Sequence, residues 1–304
     1  MEIKTAAIVG LGALGVLFGH QIAKNAPEGT LRILADEARI ARYRREGVFA
    51  NGEACRFRYV TPGAPGGPAD LLIFSVKFGG LEAAVEAARG LVGPDTVILS
   101  LLNGIISEEV IGGKLGAEKV LPAVAQGMDA VKVGNRLTFH HMGMICFGER
   151  PGGGAAAAAA VARFFDETGV PYQRMPDMRR HMWGKFMLNV GVNQTVAVFE
   201  CDYGCVQKPG EARDTMVAAM REALMLARAE GVDLTEADID YWLKILGTLN
   251  PAGKPSMRQD LEAGRRSEVG LFAGTVVKLS QAHGIPCPVN RMLLDRIRAM
   301  EENF

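Results

Sequence analysis

Lys185, Asn189 and Asn193 recur every fourth residue along one edge of an otherwise apolar segment. Trp183, Phe186, Met187 and Val190 form a stripe at helical spacing, and Leu188 and Val192 fall on the opposite side. Residues 181–195 therefore read as a helix that is apolar nearly all round and buried. A buried row of one ammonium and two amides is costly unless something polar faces it. Two readings meet that demand: a satisfied structural network, or a cleft wall that holds a small polar substrate. A second polar set lies downstream. Ser256-Met257-Arg258-Gln259-Asp260 opens a helix with the Ser-x-x-Gln spacing of a capping box, and Gly264 ends it. Ser267-Glu268 then begins a long helix to His283, stopped by Gly284 and Pro286. On periodicity alone, Ser256 is an N-cap and Glu268 a first-turn acid favoured by the helix dipole.

Near the start of the chain a different chemistry is legible. A short β-branched run at 5–9 leads directly into Gly10-Leu11-Gly12-Ala13-Leu14-Gly15. A helix is predicted over 16–24 and a second apolar strand over 31–35, ending at Asp36. Strand, glycine turn, helix and strand, with an acid about 20 residues past the loop, is the pattern of a dinucleotide-binding unit. One glycine makes the tight turn, one admits the pyrophosphate to the backbone, and one lets helix and strand approach. The helix N-terminus supplies N–H groups and positive dipole to the phosphates. The competing readings are a ligand-free glycine turn and, for Asp36, a plain cap on the following helix.

The alternation that positions these residues continues. Strands are expected at 70–77, 96–102, 119–124 and 144–147, with a helix at 81–91. Lys77 and Asn103 fall at the carboxyl ends of two of these strands, where ligands of doubly wound sheets sit. A surface lysine and an Asn-Gly turn are equally good readings of the two. Residues 149–154 are a breaker, and the alanine run 155–160 starts a helix. Strand signals vanish after Met178. The expectation is an α/β fold: a Rossmann-type doubly wound sheet over 1–174, followed by an all-α helical domain over 175–304.

Composition narrows the function classes. The 304 residues are 48% hydrophobic and 22% charged with zero formal net charge, so no basic field favours nucleic acid and no polybasic run favours a membrane. The apolar run 5–19 is too short to span a bilayer, and its four glycines suit a phosphate loop better than a secretory leader. Five cysteines with no Cys-x-x-Cys pair read as free thiols in a reducing cytoplasm, and whether Cys201 and Cys205 have a role is left open by the sequence. His140-His141 read as adjacent residues on a strand, pointing to opposite faces, and no metal site is expected. The apolar stretch 269–279 fits either core or an interface, which leaves a homodimer open.

Taken together, the glycine loop at 10–15, Ser75-Val76-Lys77, Leu102-Asn103-Gly104, Trp183-Gly184-Lys185-Phe186-Met187-Leu188-Asn189 with Asn193, Ser256-Met257-Arg258-Gln259-Asp260 and Glu268 resemble the ketopantoate reductase (2-dehydropantoate 2-reductase) family over essentially the whole chain. The order and separations agree jointly, which is more specific than any one motif. The resemblance implies a Rossmann domain and a helical domain with the active site between them. It implies NADPH or NADH as cofactor, a small keto acid as substrate, and reduction of 2-dehydropantoate to (R)-pantoate in pantothenate and coenzyme A synthesis. In that family the lysine matching Lys185 is the general acid, with the glutamate matching Glu268 beside it. The residues matching Asn189, Asn193 and Ser256 hold the substrate, and those matching Lys77 and Asn103 lie where cofactor and substrate meet.

The chemistry suits these residue types. Hydride addition to C2 of a 2-keto acid leaves an alkoxide, which needs charge stabilisation and a proton. An ammonium can supply both. Burial lowers a lysine pKa, and a neighbouring carboxylate opposes that shift. One position departs from the family pattern. Many members place an arginine after the second strand to grip a 2′-phosphate, whereas here Asp36 stands there, with Arg39 and Arg42 beyond. A carboxylate favours free ribose hydroxyls, so the reading leans toward NADH. Two other function classes are a related dehydrogenase of another branched 2-keto or 3-hydroxy acid, and a non-catalytic dinucleotide sensor.

Overall fold

The computed structural model describes every residue except Pro151 and Asn303; the proline of the expected breaker thus lies outside the described residues. The chain divides into two compact units, Met1–Met178 and Arg179–Phe304.

The first unit is built on a six-stranded sheet in the order Arg58–Val60, Leu31–Leu34, Ala6–Val9, Leu71–Phe74, Val97–Ser100, Val120–Leu121. Every pairing in it is parallel. In chain order this is 3-2-1-4-5-6, the Rossmann arrangement. The four central strands are buried along their whole length, as expected when helices cover both faces. Ala6, Ile8, Leu71 and Ile73 join one core with Val16, Leu17 and Phe18 of the Ala13–Asn25 helix. The alternate residues Ala7, Val9, Leu72 and Phe74 join a second core with Leu81 and Val85 of the Leu81–Ala88 helix and Ile111 of the Ser107–Leu115 helix. The period-2 alternation of a strand thus assigns each side chain to one face.

Two smaller sheets flank this one. The single strand expected at 119–124 is two strands, Val120–Leu121 in the main sheet and Ala123–Gln126 in a three-stranded sheet with Met144–Phe147 and Tyr172–Arg174. Pro122 separates them; without an N–H it cannot continue the ladder. His140 and His141 lie outside any strand. Their backbone N–H groups both donate to Asp129 Oδ1, at 2.8 and 2.7 Å, which holds them in a turn and replaces the strand geometry expected of them.

The second unit is helical, from Met178–Val198 through Glu211–Ala229 and Glu236–Gly247 to Pro288–Glu301. Two helix starts differ from expectation. Ser256 is the first helical residue, not the cap: Pro255 takes the N-cap position and Gln259 Nε2 donates to Lys254 O at 2.8 Å, so no capping box forms. The long helix expected from Ser267 begins instead as a π-helical turn, Gly270–Gly274, and turns α only at Thr275–His283. The cause is a side chain inserted into the ladder. Gln194 Oε1 accepts the Ala273 N–H at 2.9 Å, and the Val269 carbonyl is left to the Gly274 N–H at 3.1 Å, one residue later than an α-helix requires.

The cysteines also differ from expectation. Cys201 and Cys205 form a disulfide, while Cys55, Cys146 and Cys287 are free. Asp202 caps the short helix Tyr203–Gln207 by accepting from Gly204 N at 3.0 Å, and that turn brings Cys205 back to Cys201, four positions earlier. Among the described residues no helix is long and apolar enough to cross a membrane.

Candidate active site

The strand order of the main sheet reverses between Ala6–Val9 and Leu71–Phe74, whose last residues Val9 and Phe74 are paired. The chain leaves these two strands toward opposite faces, which opens a crevice at their carboxyl ends, the place where ligands of this fold sit. The glycine loop and Ser75-Val76-Lys77 both lie there. Gly10 has φ +96°, and a Cβ on it would meet Val76 Cγ1 at 2.6 Å and the Ser75 carbonyl oxygen at 2.7 Å. A Cβ on Gly15 would lie 2.0 Å from the Gly10 carbonyl oxygen. Leu11, Ala13 and Leu14 fill the variable positions of the loop, Leu11 buried and Leu14 partly so. Gly12 is the N-cap of the Ala13–Asn25 helix and offers no capping side chain. The first-turn N–H groups are therefore left to an outside acceptor. A backbone cradle that a Cβ would fill, at an uncapped helix start, fits a dinucleotide diphosphate.

Asp36 stands just past the second strand, exposed, and caps the Glu37–Glu46 helix: its Oδ1 accepts from Arg39 N at 2.7 Å. Its Oδ2 lies 3.5 Å from the Arg39 guanidinium. The capping reading is therefore realised, and the carboxylate is held in place at the strand end. Arg42 lies over the Tyr43 ring at 5.2 Å. Lys77 is exposed and Asn103 half-buried; each follows the end of its strand by three residues. Leu101 N donates to Phe74 O at 2.9 Å, which ties the Asn103 turn to the neighbouring strand end.

In the second unit the Met178–Val198 helix carries the row Lys185, Asn189, Asn193, the first two half-buried and Asn193 buried. Its apolar flank is fixed by aromatic contacts: Trp183 meets Phe186 edge-on, and Phe186 stacks on Phe272. Two glycines set the packing distance. A Cβ on Gly184 would lie 2.5 Å from Trp242 Nε1, and one on Gly191 2.5 Å from Met220 Cγ. Phe272 and the Ala273 N–H, both in the π turn, are held by Phe186 and Gln194 of this same helix. That docks the segment carrying Glu268, which is half-buried two residues before the π turn. Ser256 is exposed at the start of its helix.

Two members of this cluster escape a reading of the sequence. His181 continues the Lys185 row one turn toward the N-terminus, and its ring lies 5.8 Å from Trp242. Burial lowers its pKa, and the nearby Lys185 charge lowers it further. The fourfold spacing from Lys185 was the available signal. Gln194 is fully buried; its Nε2 donates to Val190 O and to Asn290 Oδ1, and its Oε1 holds Ala273. Nothing in the sequence distinguishes it from an exposed glutamine.

A 3-2-1-4-5-6 parallel sheet with a glycine loop at its switch point, in a chain completed by a helical unit, is the Rossmann class of fold. Within that class the match is specific: the family described as ketopantoate reductase PanE/ApbA covers residues 6–152, and its C-terminal counterpart covers 177–301. The chain belongs to the ketopantoate reductase family. It is 26% identical to 2-dehydropantoate 2-reductase of Streptococcus pyogenes serotype M1, covering 97% of each chain. A relative of that name from Halobacterium salinarum is also 26% identical, over 97% of this chain and 98% of its own. The crystal structure of a PanE/ApbA family ketopantoate reductase from Ralstonia eutropha JMP134 superposes with a TM-score of 0.84 at 26% identity, over 98% and 99% of the two chains. A D-mandelate dehydrogenase in complex with NADH and anilino(oxo)acetate shares the fold, with a TM-score of 0.87 at 21% identity over 98% and 99%.

Proposed function

We propose that this chain is an NAD(P)H-dependent 2-dehydropantoate 2-reductase, reducing ketopantoate to (R)-pantoate. The observation that carries the reading is the Lys185–Asn189–Asn193 row, in a chain that also has a diphosphate cradle at Gly10–Gly15. When bound there, a nicotinamide dinucleotide would supply the hydride for C2 of the keto acid. Lys185 holds the developing alkoxide as an ammonium and gives it a proton from Nζ. Glu268 keeps that ammonium charged and aimed, opposing the effect of burial. Asn189, Asn193 and Ser256 offer two amides and a hydroxyl, a set that grips a carboxylate and a hydroxyl without competing for the proton. Gly10, Leu11, Gly12, Ala13, Leu14 and Gly15 present backbone to the diphosphate. Lys77 and Asn103 orient the nicotinamide end. Asp36 takes the ribose.

We favour NADH. Asp36 is fixed as a helix cap, and its charge repels a 2′-phosphate at the end of the second strand. Steady-state kcat/KM with NADH and NADPH over a panel of branched 2-keto acids tests both parts. Ketopantoate as the best substrate supports the assignment. A different keto acid preferred by tenfold or more makes the chain a related dehydrogenase, and cofactor binding without turnover makes it a sensor. A strong NADPH preference refutes the Asp36 argument. A homodimer is compatible with this function; sedimentation velocity measures it directly.

A further inference from the structure

The Asn103 turn is tied to a half-buried acid with an enclosed carboxyl oxygen, which the proposed chemistry does not use. Ser100 ends the strand Val97–Ser100, and Ser107 and Glu108 begin the helix Ser107–Leu115. Both serines are fully buried. Leu102 N donates to Ser100 Oγ at 3.3 Å, Ser100 Oγ and Ser107 Oγ are 2.8 Å apart, and Ser107 Oγ donates to Glu108 Oε2 at 2.9 Å. The other carboxyl oxygen, Glu108 Oε1, is buried with no hydrogen-bond partner. We propose that Glu108 is a positioning residue that sets the Asn103 turn through Ser107 and Ser100. The proposal rests on the reading of Asn103 as a nicotinamide-side residue.

Glu108 sets the direction in which the two serine hydroxyls donate. A serine hydroxyl carries a single hydrogen. While Glu108 is a carboxylate, Ser107 must spend its hydrogen on Oε2, so Ser100 must donate to Ser107. Ser100 then has its lone pairs free for the Leu102 N–H, and every link in the chain points one way, toward the acid. A proton on Oε2 reverses Ser107, which now donates to Ser100. Ser100 must then accept from both Ser107 and Leu102, and its own hydrogen has to leave the chain. The amide next to Asn103 thereby feels whether Glu108 holds a proton. A proton on Oε1 would leave Ser107 donating to Oε2 but would bury an O–H with no acceptor, whereas Oε2 faces a hydroxyl oxygen that can accept it, so Oε2 is the favoured site.

The acid changes state in an accessible range. Burial pushes the Glu108 carboxyl up to about 7, opposed by the Ser107 hydroxyl and, more weakly, by the nearby backbone N–H groups of Glu108 and Ala123, neither of which reaches Oε1 as a hydrogen bond. The charged groups on its helix and on the elements packed against that helix are otherwise engaged. Glu86 pairs with Arg89 and Lys114, Glu118 pairs with Lys119, and Glu82 and Glu109 are exposed. Among the described residues none of them acts on Glu108.

The test uses the full-length chain with 15N-labelled leucine and asparagine. The Leu102 and Asn103 amide signals are followed from pH 6 to 8.5 in the wild type, Glu108→Gln and Ser107→Ala. Both signals are expected to titrate with a midpoint near 7 in the wild type and to stay fixed in both variants. Static wild-type signals, or titration that persists in either variant, overturn the proposal. In parallel, NADH and NADPH dissociation constants are measured by fluorescence over the same range. Wild-type affinity is expected to rise by about two- to tenfold above the midpoint, the worth of one hydrogen bond, and to be flat in Glu108→Gln. Titrating amides with pH-independent affinity also overturn the positioning role. If neither cofactor binds at any pH, the proposed function falls, and the amide titration alone decides the wiring of Glu108.

Discussion

Replacing Gln194 by leucine isolates the side chain that bends the Glu268 segment into a π turn. Gln194 and Asn290 are both fully buried. The substitution removes the acceptor of the Ala273 N–H and the donor to Asn290 Oδ1. Each buried group left unsatisfied costs about 1–3 kcal/mol. The gain from burying leucine in place of an amide offsets about 1–2 kcal/mol. The expected net loss is about 2–4 kcal/mol, in the second unit alone. Both tryptophans of the chain, Trp183 and Trp242, lie in that unit, so their fluorescence during urea denaturation reports it without interference from the first. A second readout is catalytic. The π turn begins two residues after Glu268, so kcat is expected to fall at least tenfold while the dissociation constant for cofactor stays within twofold. A stability loss below about 1 kcal/mol would falsify the account of the π turn as an inserted side chain. So would a Gln194→Leu enzyme of normal kcat.

Further outcomes follow from the two clusters. Lys185→Ala is expected to lose about 10²–10⁴-fold in kcat, the usual worth of a positioned acid, with cofactor affinity unchanged; stopped-flow turnover beside a cofactor titration measures both. Gly15→Ala places a Cβ 2.0 Å from the Gly10 carbonyl oxygen, so the loop must move; isothermal titration is expected to show at least tenfold weaker cofactor binding, and an unchanged affinity rules out the cradle. Glu108→Gln is expected to change the pH dependence of stability. The folded carboxyl sits near 7 against 4.5 for the free group, so the fold binds its proton more tightly than the unfolded chain does. Its contribution is fully present below 4.5 and is lost as pH rises through about 7. At pH 8 the glutamine variant should be more stable than the wild type by up to about 3 kcal/mol, and at pH 4 the two should match; thermal denaturation at both values checks it.

Much of the first unit could be read directly. Its strands are short apolar runs closed by Gly, Asp or Asn-Gly, and a buried parallel strand needs little beyond that. The glycine loop was readable because part of its demand is local: Gly10 takes a positive φ and Gly15 lies against the Gly10 carbonyl, although the crowding of Gly10 by Ser75-Val76 is a contact of the fold. The helix of Lys185 was equally plain, since a polar row on an apolar helix shows at fourfold spacing. Three of the places where expectation and structure part share one trait. Pro122 splits a strand, Pro255 displaces Ser256 from the cap, and Cys201 meets Cys205 across a turn set by Asp202. In each, a single neighbour overrides the pattern of a longer window.

What the order of residues settled alone was therefore periodic and local: which segments are strand or helix, where the phosphate loop lies, and which polar side chains share an edge. Tertiary structure decided the rest. The π turn before Thr275 exists because Gln194, far away in sequence, accepts the Ala273 N–H. The raised pKa of Glu108 exists because the fold buries its carboxyl and leaves Oε1 unpartnered. Asp36 looks the same in sequence whether it caps a helix or only waits for a ribose, and the fold shows it engaged as a cap. Hydrogen-bond partners and burial are properties of distant contacts, and no window of neighbouring residues contains them.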